Sequence, residues 1–141
     1  MIDIQSKVVD TIFNAVKAEF PNADITTGFD EKNAIFPCVV VEEVDNVPYR
    51  KTNTDDCAEN YSQITYEVSV YTNSLDSAKT DGRRIIDVAD TALQSLKFRR
   101  IRLNKPLNIA RTIFRQYLRS DVIVSQPVTE GKTTTYYLYR R

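Results

Sequence analysis

The stretch "ITYEVSVYTN" (residues 64–73) runs directly into "SLDSAKTDGRRIIDVADTALQSL" (residues 74–96), and these two pieces decide the fold. Apolar and polar side chains alternate from residue 61 to residue 72, and a period of two predicts a strand with one buried face. The apolar face is expected to lie on the core. The polar face, which is expected to be exposed, consists of Gln63, Thr65, Glu67 and Ser69.

The residues after this strand predict an amphipathic helix over residues 75–96. Asn73 and Ser74 are suited to cap it, and Asp76 lies in its first turn, where the helix dipole favours an acid. Gly82 falls on or near the buried stripe. It either permits close approach to the sheet or is simply tolerated, at about 1 kcal/mol relative to Ala. The residues expected to be buried are Ala78, Ile85, Ile86, Ala89, Leu93 and Leu96.

A second helix is predicted near the start of the chain. Residues 3–20 carry apolar side chains at helical spacing, which is typical of a helix with one buried face. Asp3 is suited to cap this helix, and Pro21 supplies its stop. The predicted buried stripe consists of Ile4, Val8, Ile12, Val16 and Phe20, widened by Val9 and Phe13.

Two strands and a long polar loop are predicted between the helices. The sequence "ADITTGFD" favours a short edge strand that ends at Gly28. Residues 37–44 predict a strand whose first part, from Cys38 to Val41, is buried on both faces. Residues 45–60 are polar and too long for a tight hairpin turn, so they predict a loop that is either disordered or used for contacts.

The C-terminal third is more ambiguous. Residues 97–108 are basic and predict an extended connection. Residues 109–125 match a helix at some positions and a strand at others. Because "TTTYYLYRR" at the end reads as a strand and a strand needs a partner, residues 111–125 and 132–140 are predicted to form a C-terminal β-hairpin.

These elements together predict an α+β fold in which residues 1–141 form a single domain. Two helices are expected to pack on one face of a mainly antiparallel sheet, with the hairpin at the C-terminal end. No apolar run approaches the roughly 20 residues needed to span a bilayer, and no secretory signal is visible, so no membrane partner is expected. The two cysteines, Cys38 and Cys57, are expected to be reduced and free of metal.

The charge is balanced overall but not along the chain. Lys plus Arg and Asp plus Glu each number 19. Residues 1–82 hold 15 acidic and 6 basic side chains, a balance of −9, and residues 83–141 hold 4 acidic and 13 basic, a balance of +9. The opposite charges either meet inside one folded chain, or an acidic face of one subunit meets a basic face of the next.

The usual catalytic equipment is missing from the sequence. There is no histidine, and the three glycines are too far apart for a phosphate-binding loop. No nucleophile elbow or Cys-x-x-Cys pair occurs, and the acidic residues lack the spacing of a calcium loop. We therefore expect no enzyme activity, no cofactor and no metal, with a cryptic enzyme as an alternative.

Nucleic-acid binding is a rival interpretation. A band of basic residues runs from residue 83 to residue 105, and Phe98 and Tyr117 are aromatic residues on which bases could stack. Against this, apolar residues interrupt the band and the protein is neutral, whereas dedicated nucleic-acid binders usually carry excess positive charge.

The order of the predicted elements over roughly residues 4–140, with its central segment from residue 36 to residue 98, resembles that of the tail terminator proteins, also called tail-completion or head-to-tail joining proteins, of long-tailed bacteriophages. In that family a "P-x-V-x-V" strand is followed by a polar loop and then by a "Y-x-V-x-V-Y" strand that runs into a helix. The matching positions here are Pro37, Val39 and Val41, then Tyr66, Val68, Val70 and Tyr71.

The resemblance implies a structural virion protein of the tail or neck, assembled in the host cytoplasm. Six copies would close into a homo-oligomeric ring that caps the tail tube and binds the connector or stopper protein of the head. DNA would pass through the lumen without being read. Another neck component, such as a head-completion or minor capsid protein, is the alternative within the same class.

Candidate contact residues for subunits or tail tube follow from this interpretation. They lie in the polar loop, on the polar face of the strand over residues 61–72 and in the basic segments. Reversal of Arg83 and Arg84 to Glu is expected to impair assembly without unfolding the chain. The full candidate set is Tyr49, Arg50, Lys51, Gln63, Thr65, Glu67, Arg83, Arg84, Arg99, Arg100 and Arg102.

Overall fold

The computed structural model describes residues 2–29, 32, 35–49, 61–73, 78–110, 112–130 and 133–140. Within them the chain forms two helices and a mixed sheet, so the predicted α+β class is confirmed. The helices are α1 (Gln5–Glu19) and α2 (Ala78–Ser95). The strands are β1 (Asp24–Thr26), β2 (Cys38–Pro48), β3 (Tyr61–Thr72), β4 (Arg99–Leu103), β5 (Leu107–Ala110), β6 (Ile113–Ser125), β7 (Val128–Glu130), β8 (Thr133–Thr135) and β9 (Leu138–Tyr139).

The main sheet is organised around β3 and β6, which pair antiparallel along the whole length of β3. Its order is β1-β2-β3-β6-β4, and β5 and β9 pair with β6 beyond the two ends of β4. The β2–β3 and β6–β4 pairs are antiparallel, whereas β1 runs parallel to β2. A separate two-stranded sheet is formed by β7 and β8. The predicted strand over residues 61–72 is therefore a central strand, paired on both sides.

The core contains the predicted apolar face of β3 together with apolar side chains of both helices. Within this core, the ring of Tyr66 meets the ring of Phe98 edge-on, with centroids 6.0 Å apart. Because one cluster joins residues from both helices and the sheet, the described residues form one α+β unit. Its members include Val8, Ile12, Val16, Val39, Val41, Ile64, Tyr66, Val68, Val70, Ile85, Ala89, Leu93, Leu118 and Val122.

Strand β2 is longer than the sequence predicts. Its first four residues are buried on both faces, as expected, but it continues to Pro48 instead of ending at residue 44. A bulge between Glu43 and Asp45 keeps the polar part paired with β3 as far as Ser62. Only one side of this part is paired with a described strand, which explains why its composition looks like that of a loop. Residues 50–60 of the predicted loop lie outside the described residues.

Helix α1 begins at Gln5, and its N-cap residue is Ile4, so the prediction of Asp3 as the N-cap is wrong. Asp3 lies one residue before the N-cap, and its carboxylate still accepts a hydrogen bond from the Gln5 N–H at 2.9 Å. Phe13 was expected to widen the buried stripe, but it is 44% exposed and lies beneath the Lys17 ammonium. The stripe is therefore narrower than the apolar residues suggest.

Helix α2 buries Ile85, Ile86, Ala89 and Leu93 as predicted, and Leu96 is partly buried. A Cβ atom added at Gly82 would lie 3.8 Å from the Thr72 methyl group, an ordinary contact, so this glycine is tolerated and not required for close packing. The helix ends with Lys97 in the left-handed region, at φ 70°. The predicted cap and first-turn residues Ser74 and Asp76, and the side chain of Ala78, lie outside the described residues.

The C-terminal third resolves into strands. Residues 109–125 contain the end of β5 and the whole of β6, and the basic connection contains β4. The predicted hairpin between residues 111–125 and 132–140 is not confirmed, because β6 meets the C-terminal segment only at two residue pairs of β9. The reason is that β3 occupies one side of β6 while β4 and β5 occupy most of the other.

Candidate assembly interface

The face of the sheet opposite the apolar side chains of β3 gathers many of the predicted contact residues. Alternation along β3 turns Gln63, Thr65 and Glu67 away from the core. Cross-strand register then places Arg99 beside Asp121, which pairs with Thr65, and places Arg102 beside Arg119, which pairs with Glu67. We call this the polar sheet face. The structure therefore brings together Gln63, Thr65, Glu67, Arg99 and Arg102.

The expectation that Glu67 and Ser69 are exposed is wrong, because both are buried. Glu67 is only 4% exposed, since long side chains of β6 lie across it. An Arg115 guanidinium nitrogen donates to one Glu67 oxygen at 2.6 Å and to the Ser69 hydroxyl at 3.1 Å. Arg119 donates to the other Glu67 oxygen at 3.3 Å. One acid from the acidic half of the chain is thus neutralised internally by two arginines of the basic half.

Tyr117 lies at the centre of a cationic cluster on the polar sheet face. The guanidinium groups of Arg115, Arg119 and Arg102 lie 4.8, 5.5 and 5.8 Å from its ring centroid. A cation that lies over the face of an aromatic ring is attracted to the ring electrostatically. The sequence predicts Tyr117 only as a residue on which bases could stack, and Arg115 and Arg119 were missed. The signal for this cluster was that Arg115 and Arg119 lie two residues before and two residues after Tyr117 in β6.

A second polar group lies further along the same face. The Gln63 amide donates to Asp121 at 3.0 Å, and the Arg99 guanidinium approaches the other Asp121 oxygen at 3.8 Å. Asp121 is fully buried, whereas the Arg99 side chain is 39% exposed. Arg99 can therefore reach a further partner beyond the sheet while it remains beside Asp121.

The remaining predicted contact residues lie elsewhere. Arg100 points to the helix side, where it meets Asp90 of α2 at 3.5 Å. Arg83 and Arg84 are on the exposed side of α2, and Arg84 lies 5.2 Å from the Phe20 ring and lines a groove of about 500 Å³ between the helices. Tyr49 follows β2, and its N–H donates to the Tyr61 carbonyl at 2.7 Å. Arg50 and Lys51 lie outside the described residues.

The outer side of β2 forms an acidic edge, which we define as Val41–Pro48. Strand β1 pairs only with the first three residues of β2, and no other described strand pairs with its outer side. Glu42, Glu43 and Asp45 provide all the charge of this edge. Partial burial raises the pKa of Glu43, against the lowering effect of its hydrogen bond from Asn46. Val44, at the bulge, is 41% exposed.

The outer side of β4 forms the matching basic edge, Arg99–Leu103. Strand β6 pairs with its inner side, and the part of the chain that the structure describes places no strand on its outer side. Arg99, Arg100 and Arg102 provide all its charge, and Ile101 between them is 51% exposed. Within the described residues, the two unpaired edges of one sheet therefore carry opposite charges, three on each side.

Charges across the polar sheet face are arranged in a row perpendicular to the strands. Register sets Glu42 beside Glu67, Glu67 beside Arg119, and Arg119 beside Arg102. The inner pair is an ion pair, but each outer member stands next to a like charge. Like charges directly opposite one another on neighbouring strands are destabilising. Glu42 and Arg102 would therefore both gain from an oppositely charged group beyond the edge.

Other classes of site receive little support. Among the described residues, no three His, Cys, Asp or Glu side chains are placed to hold a metal ion, and neither helix is long and apolar enough to cross a membrane. Cys38 is free and buried, and its burial, together with the nearby Asp24 charge, raises the pKa of its thiol to about 11. No family model matches the chain, and no curated protein shows significant sequence similarity to it.

Proposed function

We propose that the protein is a structural subunit of a bacteriophage tail, a tail terminator that forms a homo-oligomeric ring of six copies. The ring caps the tail tube and joins it to the connector or stopper protein of the head. The observation that carries this proposal is that two edges of one sheet, to which no described strand is added, carry opposite charges. The tail-terminator resemblance supplies the biological setting.

Opposite charges on two separate edges favour a head-to-tail arrangement. A symmetric dimer through either edge would bring like charges together, because the same surface would meet itself. A contact between the acidic edge of one copy and the basic edge of the next brings opposite charges together. Such a heterologous contact leaves one free edge at each end, so repeated association either closes into a ring or continues as a filament.

The finer fold in this proposal is two helices packed on one face of a mainly antiparallel sheet. The polar sheet face would then remain free for other partners. The cluster of Arg102, Arg115 and Arg119 around Tyr117 suits an acidic surface, such as part of the tail tube or of the head connector. DNA would pass through the lumen without contacts that read its sequence.

The strength of each contact is modest. An exposed ion pair contributes about 0.2–1 kcal/mol, and a backbone hydrogen bond contributes a net of about 0.5–1.5 kcal/mol. A single edge contact would therefore hold two subunits weakly. In a closed ring each subunit makes two such contacts, and a preformed tail-tube tip would raise the local concentration of subunits. We expect assembly to be cooperative and to be promoted by the tube.

Of the three alternatives, two explain the structure less well and one differs only in the partner. A small nucleic-acid-binding protein would use the basic edge and Tyr117, but Glu67 already neutralises part of this cluster and the acidic edge of the same sheet would repel phosphate. A head-completion or minor capsid protein would also need oligomer contacts, so it differs only in the partner. An enzyme has no residue set to support it.

The proposal is tested by mass and by tail morphology. We expect sedimentation to detect a closed oligomer of six chains, either alone or after mixing with tail-tube subunits. Electron microscopy of tubes grown with the protein should show capped tubes that stop elongating. A chain that stays monomeric with and without the tube, and tubes that elongate unchanged, would overturn the proposal.

A further inference from the structure

Building on the proposed ring, we propose that one β-sheet continues from subunit to subunit. Strand β4 of one copy would add to β2 of the next copy in antiparallel orientation. The register would set Arg102 opposite Glu42 and Arg99 opposite Asp45. Main-chain hydrogen bonds between the two edges would supply attraction, and the charged pairs would fix the partner and the register.

The strand directions support this orientation. Each neighbouring pair in the series β2-β3-β6-β4 is antiparallel, so β4 runs opposite to β2 within one subunit. Rotation about a ring axis that lies along the strands preserves these directions. The β4 strand of a neighbouring copy would therefore meet β2 antiparallel, and the alternation of the sheet would continue without a break.

Matching bulges place the charges on the same faces. The bulge in β2 leaves Glu42 and Asp45, three residues apart, on one face, since they pair with Glu67 and Thr65. The bulge in β4 does the same for Arg99 and Arg102, which pair with Asp121 and Arg119. Both pairs lie on the polar sheet face. Two strands with the same three-residue spacing can pair without moving any charge to the opposite face.

The position of β1 selects one register. Strand β1 pairs with β2 from Cys38 to Val40, so Val41 is the first position with a free outer side. In the proposed register the last residue of β4, Leu103, stands opposite Val41, so β4 ends where the outer side of β2 becomes occupied, and the chain must leave the shared sheet at Asn104, opposite Val40. A shift of two residues toward the start of β2 would make β4 collide with β1. A shift of two in the other direction would set Arg102 opposite Val44 and lose both charge pairs.

The charge row gives an independent reason for the same register. Glu42 and Arg102 stand at opposite ends of the row that contains Glu67 and Arg119, and each has a like-charged neighbour. In the proposed contact, Arg102 of one copy meets Glu42 of the next. The rows then join, and both outer charges gain an opposite neighbour.

Bulges and charges also protect edges from uncontrolled pairing. Protection alone, however, works with charges of either sign on either edge. Here the acids lie on β2, the bases lie on β4, and exposed apolar residues, Val44 and Ile101, stand within both bulges. This arrangement disfavours pairing of an edge with the same edge of a second subunit and favours pairing with the opposite edge.

Disulfide trapping tests the register. In a Cys57→Ser background, with the buried Cys38 retained, Glu42→Cys chains are mixed with Arg102→Cys chains and oxidised. We expect a covalent dimer from the mixture and none from either variant alone, because the contact is heterologous. The matched control mixes Asp45→Cys with Arg102→Cys, which lie on the same face about 10 Å apart along the strand and are too far apart for a disulfide.

Charge exchange tests the same contact without cysteines. We expect Glu42→Arg or Arg102→Glu alone to raise the dissociation constant of the assembly by about tenfold, and the double exchange to restore it to within about threefold. Lys7→Glu, an exposed reversal on α1, is the control and should leave the constant unchanged. Circular dichroism would verify that each chain is folded.

The outcomes separate this inference from the proposed function. If a ring forms but the Glu42–Arg102 cross-link does not, and the charge exchange leaves the dissociation constant unchanged, the proposed register is overturned and the proposed ring is supported. The cross-link in open chains of subunits, with no closed ring, supports the register and overturns the ring. Chains that do not associate at all, with or without tail tubes, overturn both.

Discussion

The buried environment of Glu67 differs from the exposed position that the sequence predicts for it. Glu67 sits in an alternating strand among polar residues, yet it is buried beneath two arginines. Hydrogen bonds to charged groups contribute about 1.5–3 kcal/mol each. The Arg115 and Arg119 side chains remain partly solvated, at 27% and 44% exposure, which reduces the effect of losing the Glu67 charge.

We therefore expect Glu67→Gln to lower the free energy of unfolding by about 1–3 kcal/mol, because both arginines lose their anion while the side-chain shape is kept. The measurement is urea denaturation at a concentration where the chain is monomeric. Glu42→Gln, a substitution at the edge residue of the same row, should change the free energy of unfolding by less than about 0.5 kcal/mol. Equal effects of the two substitutions would contradict the assigned role of Glu67.

Individual residues were predictable where burial alone decided their place. The apolar face of β3, and Ile85, Ile86, Ala89 and Leu93 of α2, follow from spacing and lie in the core as predicted. The partners of Glu67 were not predictable, because they depend on the register of β6, and a shift of one residue would have turned Arg115 and Arg119 to the other face. Pair contacts across a sheet carry no local signal in the sequence.

At the scale of elements, Gly82 is the clearest weakness in an otherwise well-patterned helix. Glycine in a helix costs about 0.5–1 kcal/mol relative to alanine. The added methyl group has room, since it would meet the Thr72 methyl at 3.8 Å. Because the contact is ordinary, no compensating strain is expected.

Gly82→Ala should therefore stabilise the chain by about 0.5–1 kcal/mol and raise its melting temperature by a few degrees. Calorimetry would measure the change. Thr80→Ala, an exposed substitution in the same turn of α2, controls for a general gain in helix propensity. A loss of stability at residue 82 would show that the sheet cannot accept the methyl group.

Elements were predictable where one apolar stripe or one alternating run defined them. Both helices and β3 fall in this group, within a few residues at their ends. The polar half of β2 was missed because an edge strand with a bulge has little apolar signal. The predicted C-terminal hairpin is not confirmed, because β6 pairs along most of its length with the distant β3 and meets the C-terminal segment only at β9.

At the scale of the whole molecule, charge is expected to guide assembly. Screening shortens the reach of exposed charges from about 10 Å at 0.1 M salt to about 3 Å at 1 M. The dissociation constant of the assembly should therefore rise on the order of tenfold between these salt concentrations, while the main-chain hydrogen bonds between the two edges persist. Sedimentation at several salt concentrations measures this dependence.

The control for this prediction is a chain with Glu42→Gln and Arg102→Gln, whose assembly should depend less steeply on salt. An association that is equally strong at both salt concentrations would show that charge does not guide assembly. The overall charge split was visible in the sequence, but its division between two edges of one sheet was not. The sequence alone does not tell which strands lie at the edges.

The pairing of β3 with β6 also sets the order of events during synthesis. The first residue of β3 pairs with the last residue of β6, Tyr61 with Ser125, so the two central strands are separated by α2, β4 and β5 along the chain. Pairing over such distances is slow, because loop-closure entropy is lost before the contacts form. A nascent chain must therefore be translated through Ser125 before its central sheet can close, and until then the edge of β3 that will pair with β6 stays open to chaperones and to other chains.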